Sequence, residues 1–436
     1  MAWIKIPYVD RLLDIEIPDR NLLFNESPRD VPAVADFDAA LRAALEHPIG
    51  TPPVCELVKP GQKVIIISDD NTRVTPTQQI IPVLLDFLNQ AGVPDQDIRI
   101  IISSGTHRAM TEAEVEGKYG WPVLSRVQVL PHRYKDPNSL VEYGVTRRGT
   151  RILANRHVVE ADFRIAVGNI IPHHPAGWSA GAKAVLPGVA GEETVAQMHL
   201  LGSRHPGLGT VDTEMRREME DFAERIGLDF ILNVILNRQG ELVDAVAGHY
   251  IQAHRVGVQK SSQVYGIPIP ALADVTVSST APVDFDFFQG DKGITSAEPA
   301  TKIGGEIVLV CGCLEGISPS HPELADYVGK MTNDQIWKMV RAGQASDPLT
   351  AAEAIVINDI KDKMQITIVS QGLSPDLCAA LGFRHVFPDA LAGYVRTRLA
   401  AVGNQNLKIG VLHHSAEVVP ILTQAQSTHP AHKEAK

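Results

Sequence analysis

Cysteine is scarce in this chain: four residues in 436, Cys55, Cys311, Cys313 and Cys378. So few, so irregularly placed, exclude a disulfide framework and point to reduced thiols in a cytoplasmic protein. Cys311-Gly-Cys313 ends the strand-like run Glu306–Val310. It lacks the two-residue spacing and the second cysteine pair of a zinc motif, so it reads as buried core thiols. An excess of positive charge is also missing. The net charge is −11, which argues against nucleic acid or an anionic membrane surface as the main partner. A small anionic substrate remains compatible, because a local basic pocket can sit in an acidic protein. No apolar run approaches membrane-spanning length. The opening MAWIKIPYVDRLLDIEIP alternates polar and apolar residues without the core of a secretory signal. There is no internal repeat at a solenoid period and no low-complexity segment.

What the chain does have is an ordinary globular composition, 44% hydrophobic and 21% charged, at a length that suggests two domains. Gly61–Ser68, Ile98–Ser103 and Phe163–Ile171 are short β-branched runs of the kind found in a parallel sheet covered on both faces. Helices are expected over 36–46, after Pro76 with Ile80, Ile81, Leu84, Leu85 and Leu88 on one face, after the capping box Thr111/Glu114, and over 248–264. Met215, Met219, Phe222, Ala223 and Ile226 form a core-facing helical stripe. Alternating strands and helices mean a doubly wound α/β domain, with ligands beyond the carboxyl ends of the strands. Gly266-Ile-Pro-Ile-Pro270 reads as the join between a first unit over 1–265 and a second α/β unit over 266–436, with strands near 273–278, 305–310, 365–369 and 407–412. The tail over 427–436 is polar and expected to fray.

Three unusual loops, 69–76, 105–108 and 173–183, fall at that carboxyl edge. The last is rich in small residues, which let a backbone approach a bulky, anionic group closely. Lys183 sits within it, ten residues after His173 and sixteen before His199. His107 follows Gly-Thr at another strand end. Two imidazoles at one pocket edge make a natural acid/base pair, and Arg73 and Lys292 can neutralise a carboxylate or phosphate. Asp69 and Asp70 read as capping or orienting groups. His132, His174, His205 and His413 read as surface or satisfied core residues.

Asp70-Asn-Thr72-Arg73-Val-Thr75-Pro76, Gly105-Thr-His107-Arg108, the 173–188 run ending Lys183-Ala-Val-Leu-Pro-Gly188, His199, and Gln289-x-x-Lys292 together resemble the nickel-pincer lactate racemase family. The resemblance is colinear from about residue 60 to 300. It implies two α/β domains with mostly parallel sheets and an active site in the interdomain cleft. It also implies a nickel-pincer nucleotide, a pyridinium-3,5-bisthiocarboxylic acid mononucleotide carrying nickel, attached covalently at Lys183, with His199 as the protein ligand to the metal. Asp70, Thr72, Ser179 and Gly181 match further cofactor-binding positions. His107 and His173 match the catalytic pair, Arg73, Gln289 and Lys292 the substrate-binding groups. The implied reaction inverts Cα of a 2-hydroxy acid by hydride transfer to the cofactor and back, with the two histidines as acid and base. The implied partners are the 2-hydroxy acid, the proteins that synthesise the cofactor, and a second copy of the chain in a homodimer.

Two departures bear on specificity. The attachment lysine is preceded by Ala180-Gly-Ala rather than Gly-Gly-x, a small change. Leu349–Ile355 lacks the tryptophan associated with lactate-active members, leaving room for a larger or more polar 2-hydroxy acid, and Arg108 is placed to serve a second carboxylate. Two other classes compete. A zinc hydrolase or lyase wants two histidines a helical turn apart and a carboxylate base, and no such motif is present. A non-catalytic carrier of nickel or cofactor needs Lys183 and His199 but has no use for His107 and His173.

Overall fold

The computed structural model describes residues 1–204, 207–401 and 406–423; His205 and the 427–436 tail lie outside the described residues. Two six-stranded sheets organise the chain. In the first, the order across the sheet is Leu242–Gly248, Phe230–Leu236, Phe163–Asn169, Val64–Asp69, Ile98–Ser103, Gln128–Leu130. All neighbours pair parallel except the edge strand Leu242–Gly248. The β-branched runs are continuous because both faces are covered. Along Val64–Asp69, Val64 and Ile66 enter one core while Ile65 and Ile67 enter the other, so neither alternate set can be polar. The helix Thr77–Gln90 turns Ile80, Ile81, Leu84, Leu85 and Leu88 into the first of these cores. The stripe Met215, Met219, Phe222, Ala223 and Ile226 of helix Glu214–Ile226 fills the second.

The second sheet is parallel throughout, in the order Arg384–Val386, Gln365–Val369, Thr301–Val310, Ala273–Ser279, Ile409–Leu412, Leu22–Glu26. Its last strand comes from the beginning of the chain. Leu22–Glu26, which falls within the unit expected over 1–265, pairs with Ile409–Leu412. The hairpin Ala2–Tyr8/Arg11–Ile17 also buries Ile4, Ile6, Ile15 and Ile17 against Val275, Val277 and Val308 of the second sheet. An isolated two-stranded hairpin is marginal in water, so these residues dock where an apolar sheet face needs covering, nearly 400 residues away in sequence. The join Gly266–Ile269 is itself a strand, paired in parallel with Val419–Leu422. The helix expected over 248–264 runs from Gln252 to Tyr265, because Gly248 still belongs to the edge strand. No helix among the described residues is long and apolar enough to cross a membrane.

Candidate active site

Sheet order sets the place of the site. From Val64–Asp69 the chain moves outward through Ile98–Ser103 and Gln128–Leu130, then returns to the other side of its first strand with Phe163–Asn169. The loops leaving Asp69 and Asn169 therefore diverge, and a crevice opens between them at the topological switch point. The second sheet closes this crevice with Phe288, Gln289, Asp291, Lys292, Thr295 and Glu353, making a cavity of about 1120 Å3 including its open mouth.

The Lys183 loop is held from beneath. Ser179 Oγ accepts from Ile171 N (2.8 Å) and donates to Asn169 O (2.7 Å). The buried Arg216 guanidinium donates to Trp178 O and Ala180 O. Gly181 has φ +57°, and a Cβ there would lie 2.8 Å from the His254 ring; its N–H donates to Asn233 Oδ1 at 3.1 Å. Further on, Gly188 lies against the end of Ile98–Ser103, where a Cβ would sit 2.1 Å from Ala184 O. Small residues are required here for close approach. Lys183 itself faces the cavity. Burial, then the charges of Arg73, Lys292 and Arg216, push its amine well below the usual lysine range despite Asp70, which favours the neutral form.

A chain of hydrogen bonds crosses the cleft. Lys292 Nζ donates to Gln289 Oε1, and Gln289 Nε2 lies 3.3 Å from His107 Nε2. His107 Nδ1 lies 2.7 Å from Asp70 Oδ2. A carboxylate only accepts, so Nδ1 carries the hydrogen and Nε2 is left as the acceptor. Burial pushes the Asp70 carboxyl up, but the adjacent, hydrogen-bonded His107, with Thr72 and Arg73, holds it well below the usual carboxylate range. Thr72 serves that carboxylate through N (3.1 Å) and Oγ1 (2.5 Å), and Arg73 Nη1 rests on Thr72 O at 3.0 Å.

His173 presents the opposite arrangement. Its Nδ1 accepts from Ala176 N at 3.4 Å, which leaves the hydrogen of a neutral ring on Nε2. Burial, then Lys183, Lys292 and Arg73, push its proton affinity well below the ordinary value. His199 Nδ1 donates to Val195 O at 2.8 Å, leaving the Nε2 lone pair toward the cavity it lines. Burial first, then nearby cationic and imidazole groups, lower His199 to about 4.

Asp70, Thr72, Arg73, His107, His173, Ser179, Lys183, His199, Gln289 and Lys292 thus line one cavity. Gly181 does not line it, because its N–H faces Asn233 inside the loop. Arg108 is also elsewhere. Its guanidinium bonds Glu114 at 2.8 Å and 2.9 Å and Glu315 at 3.1 Å and 3.2 Å, so it ties the two units together at the margin of the site and is taken from any second carboxylate. His132 is a satisfied core residue on Ala190 O and Asn155, and His413 bonds Asn25. His174, read as bland, lines the cavity, as do Asn169, Asn233, Asp291 and Glu353. Asparagine within apolar strand runs was the available signal for the first pair; nothing in the sequence links Asp291 to Glu353.

Fold and cleft define an α/β protein of two sheets with imidazole, lysine and arginine side chains gathered at the switch point of one of them. The family described as lactate racemase N-terminal domain matches residues 8–210. A lactate racemase of Lactiplantibacillus plantarum is 31% identical over 325 residues, covering 72% of this chain and 76% of that protein. One from Thermoanaerobacterium thermosaccharolyticum is 30% identical over 323 residues, with the same coverage. The lactate racemase apoprotein structure of the latter organism superposes with a TM-score of 0.85 at 26% identity, covering 96% of this chain and 100% of that one. A Thermotoga maritima protein shares the fold, with TM-score 0.70 and 21% identity over 86% of this chain and 100% of its own. The chain belongs to the lactate racemase family, and it is an isomerase, a racemase.

Proposed function

We propose that this enzyme inverts Cα of a 2-hydroxy acid, using a nickel-pincer nucleotide bound at Lys183 and His199, with His107 and His173 as acid and base. The observation that carries the reading is a buried lysine facing the same cavity as two imidazoles with oppositely placed hydrogens, Arg73 and Lys292. The residues fit such a group. A neutral amine is the nucleophilic form needed to join an acid-derived arm, and the hydrogen bond that fixes the His199 tautomer leaves Nε2 free to bind metal. Among the described residues no three His, Cys, Asp or Glu groups stand together as a metal site. Nickel at His199 therefore needs donor atoms from an organic ligand, and a soft planar set suits it. The Asn169 amide, buried in the cavity wall with neither atom partnered, offers a donor and an acceptor to the nucleotide.

When bound, that group supplies a reversible hydride acceptor beside the substrate Cα. Arg73 and Lys292 hold the substrate carboxylate. His107 Nε2 takes the hydroxyl proton from one face, and Asp70 stabilises the imidazolium that results. His173 serves the other face from its Nε2. Phe288 forms part of the cavity wall on the side of the second sheet.

The relatives are lactate racemases, so lactate is the first acid to try. Glu353, within the 349–355 stretch, and Asp291 add two carboxyl groups to the wall, each pushed up chiefly by burial. A protonated carboxyl there can hydrogen-bond a substrate hydroxyl, so polyhydroxy acids belong in the same panel. The test is optical rotation of single-enantiomer 2-hydroxy acids with protein co-expressed with the cofactor-synthesis proteins. Inversion of at least one acid is expected, reduced at least about a hundredfold in His107→Ala with the cofactor still bound. Full activity of that variant on a zinc-dependent hydrolysis, or cargo binding with no inversion of any acid, would replace this reading by one of its competitors.

A further inference from the structure

A second histidine–carboxylate pair lies outside the acid/base set. His321, on the loop after Thr301–Val310, and Asp347, the N-cap of helix Pro348–Lys363, are both buried. His321 Nδ1 is 2.7 Å from Asp347 Oδ2, and its Nε2 is 3.0 Å from Thr106 O. Thr106 belongs to the first unit, and its carbonyl is part of the peptide bond leading into His107. Carboxylate and carbonyl oxygens only accept, so each ring nitrogen of His321 faces an acceptor, one in each unit.

The far end is anchored too. Asp347 Oδ1 accepts from Leu349 N at 2.9 Å and Thr350 N at 3.3 Å, so the carboxylate is fixed at a helix N-terminus. Burial pushes the Asp347 carboxyl up, and the His321 contact with these two N–H groups outweighs it, leaving the group below its ordinary value. Phe288, which lines the main cavity, packs its ring 5.2 Å from the His321 ring. The side chain of His107 is held by Asp70, but the only described side-chain bond to the Thr106 carbonyl comes from across the cleft.

We infer that His321 is a positioning residue: it carries the orientation of the second unit, through Asp347 and the helix behind it, to the peptide that aims His107. This rests on His107 acting at the substrate, as proposed above. Such a tie matters because catalysis by an imidazole depends on sub-ångström placement. It also makes His107 sensitive to how the two units sit, which the Asp70 contact inside one unit cannot do.

The two ring nitrogens can be separated by substitution. His321→Gln retains an N–H that reaches the Thr106 carbonyl; His321→Asn retains only the shorter reach toward Asp347. With loaded enzyme, His321→Asn is expected to lose kcat by about tenfold to a hundredfold with KM nearly unchanged, and His321→Gln to recover most of the loss. In the cofactor-free protein, the 1H–15N signal of His107 Nδ1–H should shift in His321→Asn and return toward the wild-type position in His321→Gln. A purely structural role predicts equal kcat for the two variants at equal melting temperature, and that result, or a His107 signal unmoved in both, overturns the inference. If the wild type inverts no acid, the function fails; the His107 signal then decides the tie by itself.

Discussion

At the level of single residues, function here depends on where charge has been removed as much as on where it is kept. Burial first, then the charges of Arg73, Lys292 and Arg216, push the Lys183 amine well below the usual lysine range. Lys292 is pushed down less, to about 8, by burial and then by Arg73, with Asp291, Asp286 and Asp70 opposing. The consequence has a definite sign. A lysine holds a carboxylate only while protonated, so the cation is present below about 8 and lost as pH rises through it. In the free enzyme kcat/KM is expected to fall on the alkaline side with an apparent pKa near that value. Lys292→Arg, which keeps its charge far higher, should move that limb out of range, and a limb that stays in place assigns it to another group. Much of this set was legible in the sequence, because lysine and histidine are conspicuous among alanine and glycine. Asn169, Asp291 and Glu353 were not, since a polar residue in a strand end or helix shows its role only once its neighbours are known.

Secondary-structure elements were readable where the cause is local. Thr111 and Glu114 form both bonds of their capping box, and the alternation of Val64 to Ile67 between two cores explains its all-apolar character. Pairings between distant segments were not readable. The strand Leu22–Glu26 carries no mark that sends it to Ile409–Leu412 rather than to the sheet that follows it in the chain. The element on which the site rests most directly is the 173–188 loop, where Gly177 and Gly188 lie against backbone and Gly181 against the His254 ring. Gly188→Ala would drive a Cβ to 2.1 Å from Ala184 O. We expect it to destabilise by about 1–3 kcal/mol and to displace Lys183. Thr111→Ala should cost about 1 kcal/mol through the lost cap with kcat preserved. Chemical denaturation with parallel assays checks both; equal kcat in the two variants would mean that the loop does not position the lysine.

On the scale of the whole molecule, the site is made by two sheets meeting. The first gives Asp70, His107, His173, Lys183 and His199 from the ends of its parallel strands and the segments beyond them, the second gives Gln289 and Lys292, and Arg108–Glu315 and His321–Thr106 span the join. Neither unit alone holds His107 and His173 together with both Arg73 and Lys292. The central claim is that Lys183 anchors the reactive group between two imidazoles. Its most direct test is peptide mass mapping of active protein co-expressed with the cofactor-synthesis proteins. The account predicts a mass increase confined to the peptide containing Lys183 and absent from Lys183→Ala; an enzyme that inverts its substrate with Lys183 unmodified would contradict it.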